Sequence, residues 1–212
     1  MATLAELYTR IILQTDRDDL GASGALEQAK VDAVADAIEE HAGELFWFNR
    51  ASGSVSTVAG AASVALPSGM RLPLQVSYGG CDLARTSLEA IQQRSDSGRP
   101  ARWAAHEGAI QLWPVPDAAY SLDVFGIAQI GVPANPDDAN AWTSEALALT
   151  IATAREILMR DYLIDQDGEA AALRAKGAAL RRLRRETRRR AGVALVTDIT
   201  GSAPSYDIAA DR

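Results

Sequence analysis

The chain has 212 residues, of which 48% are apolar, a single cysteine and a formal net charge of −7. That length fits one domain or one body with an inserted lobe, and no stretch approaches the roughly 18 consecutive apolar residues of a membrane span. Cys81 alone excludes an intramolecular disulfide framework and a multi-cysteine zinc site. The opening Met-Ala-Thr-Leu-Ala-Glu-Leu lacks the basic and apolar regions of a secretory signal, so synthesis in a reducing cytoplasm is expected.

Residues 4–13 read as a short amphipathic helix, with Leu4, Leu7, Tyr8, Ile11 and Ile12 at helical spacing. Thr3 is its predicted N-cap, and Glu6 three residues on completes the pattern of a capping box. An Asp- and Gly-rich link over 16–24 leads to a second helix over 26–42. That helix carries Val31, Val34, Ala35 and Ile38 on one face and has Gly43 as its stop.

Residues 45–130 read as β structure. The strand-like runs are 45–49, 54–58, 63–66, 74–78, 102–106, 109–113 and 120–127, punctuated by Gly and Pro, with a short helix expected over 86–94. A tight turn is expected at His106-Glu107-Gly108-Ala109. The segment from Ile110 to Ile127 reads as a further hairpin: two alternating runs separated by Pro114 and Pro116, which lack backbone donors, and by Asp117, a turn former. Trp113 and Tyr120 flank that turn and are expected to pair across it.

Residues 133–140 form a linker. Thr143 is the predicted cap of a helix over 146–162, Gln166-Asp167-Gly168 its break, and 169–190 a last helix with Leu173, Leu180 and Leu183 as a thin apolar stripe. The tail 193–212 is rich in Ser, Gly, Ala and Asp, carries few anchors and is expected to be flexible alone. The predicted fold class is therefore α+β. It comprises an N-terminal helix pair (1–44), an inserted antiparallel β-rich lobe (45–132), long C-terminal helices (133–192) and a flexible tail (193–212).

Charge is unevenly spread. Residues 174–190 hold nine basic groups and one acid, a net +8 within a chain of −7, so the remaining residues carry −15. Residues 1–44 hold ten acids against three bases. A basic end and an acidic end favour head-to-tail or partner contacts. Arg181, Arg185 and Arg188 share one helix face while Arg182 and Arg189 lie on another. Three readings of this run are open: docking on an acidic protein surface, a solvated helix face, or contact with nucleic-acid phosphates.

Other chemistry is thin. Asp16, Asp18, Gly21 and Glu27 fall at positions of a calcium loop, but Leu20 stands where an oxygen ligand is needed, so a solvated inter-helix link is the simpler reading and no metal is expected. His41 and His106 lack ligand partners at metal spacing, and His41 is well placed for a helix C-terminal dipole. Cys81 reads as a buried small apolar group. The sequence carries no phosphate-binding loop, nucleophile elbow, dinucleotide fingerprint or metalloprotease helix, so neither an enzyme nor a cofactor is expected.

The Ile-Gln-Leu-Trp-Pro-Val-Pro-Asp-Ala-Ala-Tyr-Ser-Leu segment, with Trp113, Pro114, Pro116, Asp117 and Tyr120 as its signature, resembles the core of tailed-bacteriophage head-to-tail adaptor (connector) proteins. The likeness extends to the N-terminal helix pair, the Leu66-Pro67 turn, the Pro100-to-Trp103 segment, Trp142-Thr143 and the helical C-terminus. It implies a structural virion protein, made in the host cytoplasm and located at the head–tail interface. Such proteins form a ring, usually of twelve copies, beneath the portal protein; the ring extends the channel for double-stranded DNA and meets a tail or second connector protein. On this resemblance, docking falls to Arg181, Arg182, Arg185, Arg188, Arg189, Leu195, Ile199 and Tyr206. The rival is a DNA-binding or regulatory protein using 174–190.

Overall fold

The computed structural model describes residues 1–16, 20, 24–92 and 95–191. The fold is α+β: a helical body and a β lobe, each with its own apolar core.

Helix α1 (Leu4–Thr15) starts at Thr3, whose hydroxyl accepts from the Glu6 amide at 3.3 Å, one half of the predicted capping box. The amides of Leu4 and Ala5 donate to the carbonyls of Asp138 and Pro136, so the 133–140 linker satisfies two donors that a helix start leaves open. Leu20 is fully buried in the helical core, and the Lys30 ammonium donates to its carbonyl at 3.1 Å. Helix α2 is Ala25–His41.

Residues 45–49 form a turn and not the expected strand. The Asn49 side chain closes it, accepting from the Phe46 amide and donating to the Glu44 carbonyl. Phe46 and Phe48 then stack on each other and meet Trp142 edge-on. Aromatic burial in the helical core wins here over β pairing.

The lobe is two four-stranded sheets. One is ordered β1 (Arg50–Ser56), β8 (Ser121–Ala128), β3 (Met70–Tyr78), β4 (Cys81–Asp82). The other is ordered β2 (Ser63–Ala65), β7 (Ala109–Trp113), β6 (Arg102–His106), β5 (Ala84–Arg85). All pairs are antiparallel except β5–β6. Helix α3 (Leu88–Gln92) lies between β5 and β6 of the second sheet and packs against β6 and β7. Val76, Leu83, Trp103, Ile110, Leu112, Leu122 and Val124 make up much of the lobe's core. β3 tolerates Pro73 because β4 pairs only with Ser77 and Tyr78, so at Pro73 the strand is an open edge; its register with β8 shifts there.

The β6–β7 hairpin turns on Glu107 and Gly108, both at positive φ, as a two-residue turn requires. The expected hairpin over 110–127 does not form. β7 and β8 lie in different sheets, and residues 114–120 cross between them. The crossing is stitched from its sides: Val115 exchanges bonds with Asp96 and Gly98, Pro116 accepts from Gly60, and Tyr120 pairs with Thr57. Strand alternation defines the buried face but not the neighbouring strand, and two prolines remove donors a hairpin ladder would use. Tyr120 accordingly meets Tyr78 edge-on at 5.2 Å, and not Trp113.

Helix α4 (Ala141–Ser144) is capped by Asn140, with Thr143 returning the reciprocal bond; Asn140, and not Thr143, is the N-cap. Helix α5 (Leu147–Ile157) is buried along nearly its whole length and runs into a π-helical turn, Leu158–Leu163. The break falls at Ile164, in the left-handed region, and at Asp165, which caps α6 (Gln166–Arg190) by accepting from the Gly168 amide at 3.1 Å. Gln166, Asp167 and Gly168 are therefore the first turn of α6 and not a break. A Cβ at position 168 would lie 2.5 Å from the Asp165 carboxylate and 2.8 Å from the Met159 sulfur, so glycine allows the close approach of cap and helix.

Gly126 of β8 is more tightly confined. A Cβ there would sit 2.1 Å from the Leu72 carbonyl oxygen. Gly126→Ala must displace the β3 backbone, a cost of about 1–3 kcal/mol or more by overpacking. Gly131→Ala, with open space at the same position, is the control. In thermal melts, Gly126→Ala should lower Tm by several degrees and Gly131→Ala should leave it unmoved.

Candidate docking surface on the C-terminal helix

Helix α6 has local reasons to form. Ala, Leu, Lys and Arg favour helix, Asp167 and Glu169 sit in its first turn, and Arg188, Arg189 and Arg190 sit in its last, matching the helix dipole at both ends. Its inner face is Ala172, Lys176, Ala179, Leu180, Leu183 and Thr187; Ala172 and Leu183 are buried, whereas the expected stripe member Leu173 is 45% exposed. That face packs on α5.

Polar bonds fix the helix further. Glu156 of α5 is 4% exposed and accepts from Arg160 at 2.7 Å and Lys176 at 2.8 Å; Lys176 also reaches Glu40 of α2 at 2.6 Å. Burial opposes the Lys176 charge, but the hydrogen bonds to Glu156 and Glu40 outweigh it and raise the pKa. Arg184 forks onto Glu44 at 2.5 and 2.9 Å. The Trp47 amide donates to the Thr187 hydroxyl, and the Arg190 guanidinium lies 3.7 Å from the Trp47 ring centroid. These anchors were not singled out by sequence reasoning. Their signal was present: an acid, Glu156, inside an apolar helix and a lysine, Lys176, on the buried stripe of α6 imply each other.

The outer face is different. Arg174, Arg181, Arg182, Arg185 and Arg188 are exposed, and none has a carboxylate partner among the described residues. Arg181, Arg185 and Arg188 line a basic hollow of about 410 Å³ together with Arg184. Arg182 and Arg189 border a separate groove of about 420 Å³, lined also by Trp47, Leu147, Leu183 and Glu186. Arg189 differs from the other four because it pairs with Glu186 at 3.0 Å. The predicted docking residues Leu195, Ile199 and Tyr206 lie outside the described residues.

The signature residues occupy another place. Trp113, Pro114, Pro116, Asp117 and Tyr120 sit at the end of the β lobe opposite the helices, since β1 leaves the helical side at Arg50 and β8 returns to it at Ala128. The Tyr120 hydroxyl donates to Asp117 at 2.5 Å. Arginines stack on rings around them: Arg99 on Tyr78, Arg102 on Trp113 and Arg85 on Trp103. Cys81, expected to be buried, is exposed on the short strand β4.

Of the calcium-like pattern, residues 18 and 21 lie outside the described residues; among the described residues no group of three or more His, Cys, Asp and Glu side chains is placed to hold a metal. No described helix is long and apolar enough to cross a membrane.

His41 is buried, its Nε2 3.0 Å from the Thr153 hydroxyl. Its position favours the neutral ring and not a charged partner of the helix dipole: burial depresses its pKa, and Glu40 only partly opposes this. A depressed histidine contributes stability that is full above the ordinary imidazole value of 6.5 and is lost as pH falls from there through the folded value. Melts between about pH 7.5 and pH 5 should show Tm falling more steeply for the wild type than for His41→Gln, in which the titration is absent.

A family model described as SU10 adaptor protein matches residues 2–198. Among curated proteins there is no match. The match runs over nearly the whole chain and shows the family: the chain belongs to the SU10 adaptor proteins, a family of phage head–tail adaptors.

Proposed function

We propose that copies of this chain form a closed ring beneath the portal, join the DNA-filled head to the tail and extend the channel through which double-stranded DNA passes. The observation that supports this most is the state of α6. Its inner face is fixed to α5 and α2, while four of the five arginines expected to dock face solvent with no carboxylate partner among the described residues. Like charges at such spacing repel one another, and an acidic protein surface offsets that repulsion with bidentate contacts. The remainder of the chain is strongly acidic, so a ring built from it repels DNA phosphate and lets the duplex slide.

Portal docking is assigned to the side of α6 that carries Arg182 and Arg189. These flank the groove floored by Leu183 and Leu147, where apolar surface and charge lie together. The ring is expected to hold twelve copies, as the family resemblance implies, with a tail or second connector protein on its far side.

The competing reading, a regulator that grips DNA through 174–190, also uses unpaired arginines, but it predicts strong salt-dependent DNA affinity of the purified protein. The test is binding to isolated portals and to duplex DNA over a salt series. The expected outcome is portal association that weakens at moderate salt, is lost in Arg182→Glu/Arg189→Glu with the melting curve unchanged, and is accompanied by weak DNA binding. Tight DNA binding with no portal association contradicts the proposal.

A further inference from the structure

We infer that the contact between neighbouring copies seats Arg181, Arg185 and Arg188 of one chain's α6 on Asp32, Asp36 and Glu39 of the next chain's α2. The inference rests on the ring reading and names the partner of its most basic face.

Three observations carry it. First, the two sets have the same spacing. The arginines and the acids each stand at positions i, i+4 and i+7, a straight stripe about 10 Å long on a helix rising about 1.5 Å per residue. The stripes match end to end, and Arg185 and Asp36 are the middle members whichever way the helices run. Second, both stripes point away from the body. α2 turns Ala33, Val34, Ala37 and Ile38 inward, and α6 turns Ala172 and Leu183 inward, which leaves all six charged residues exposed. Third, neither stripe is satisfied within its own chain. The three arginines have no carboxylate partner among the described residues. Among the described residues Asp32 accepts only from Gln28, and Asp36 has no hydrogen bond or ion pair. Glu39 is held by Arg71 through both oxygens, which leaves further lone pairs and fixes the carboxylate in place.

The two faces are different patches of one surface, so their union is a head-to-tail contact. Such contacts propagate from copy to copy and, with the right rotation, close into a ring. The acidic and the basic stripe lie on separate helices, which sets the order of copies and penalises like-on-like encounters.

Charge exchange tests this. In one variant α6 is reversed, Arg181→Glu/Arg185→Glu/Arg188→Glu. In the other α2 is reversed, Asp32→Arg/Asp36→Arg, with Glu39 left to Arg71. Thermal melts check that both fold. Ring formation with portal present is read by electron microscopy and mass photometry, and duplex DNA retention at low salt is read in parallel. Each variant alone should lose rings by more than about tenfold, because like charges then face each other. An equimolar mixture should restore rings of alternating copies, since each acidic face again meets a basic one. Combining all five substitutions in one chain should restore them as well. Rings that form normally from either variant alone overturn the interface, as does a mixture that fails to recover. Rings intact in the α6 variant with DNA retention lost would assign the arginines to DNA instead. A wild-type chain that stays monomeric beside its portal overturns the ring reading together with the interface.

Discussion

The structure depends on how α6 is held. A helix with eight arginines and one lysine over its last seventeen residues gains little from exposed charge and needs fixed points. It has an apolar point in Leu183 and Ala172, and a polar one in Lys176, which ties Glu156 of α5 and Glu40 of α2 into one group. Breaking a buried pair of this kind is costly because a charge is left without a partner, so the bracket defines one seating for the helix. Arg184 on Glu44 and Arg190 on Trp47 extend that seating to the C-terminal end. The backbone that carries the outer arginines is thus held in one place, so a partner would have only their side chains to order.

The same bracket divides the arginines by role. Those turned toward α2 and the 44–49 turn have partners and belong to the fold. Of those turned outward, Arg189 pairs with Glu186, and Arg174, Arg181, Arg182, Arg185 and Arg188 have no carboxylate partner among the described residues, in a protein whose overall charge is opposite. Opposite charge on different faces of one subunit is what a head-to-tail assembly uses. In the proposed ring it would also let so basic a helix lie near DNA without gripping it: with the arginines occupied by carboxylates, the charge left over is acidic.

Much of the fold was legible because periodicity reports burial. Residues 102–106 and 109–113 were read with the bounds the strands have, and the turn between them followed from Glu107-Gly108. What was lost was partnership. Alternation in 110–113 and 120–125 shows which residues face a core, but the same alternation suits a hairpin and a crossing between two sheets. Residues 45–49, Leu-Phe-Trp-Phe-Asn, are a short apolar run that would suit a buried strand, and the competing demand of the helical core for Phe46 and Phe48 makes them a turn. Gly168 suggests a helix break because glycine usually makes one, whereas here it allows the Asp165 cap and the Met159 sulfur to come close. At the candidate site the run of charge was plain in the sequence. Its division was not, because that depends on which carboxylates α2 and α5 bring within reach.

The most direct measurement is a cryo-electron microscopy reconstruction of the chain bound to its portal. The account predicts a closed ring coaxial with the portal, with Arg181, Arg185 and Arg188 of each copy within ion-pair distance of carboxylates on the neighbouring copy and the channel wall predominantly acidic. Separate copies bound without mutual contact, or a ring whose channel is lined by the α6 arginines, would contradict it.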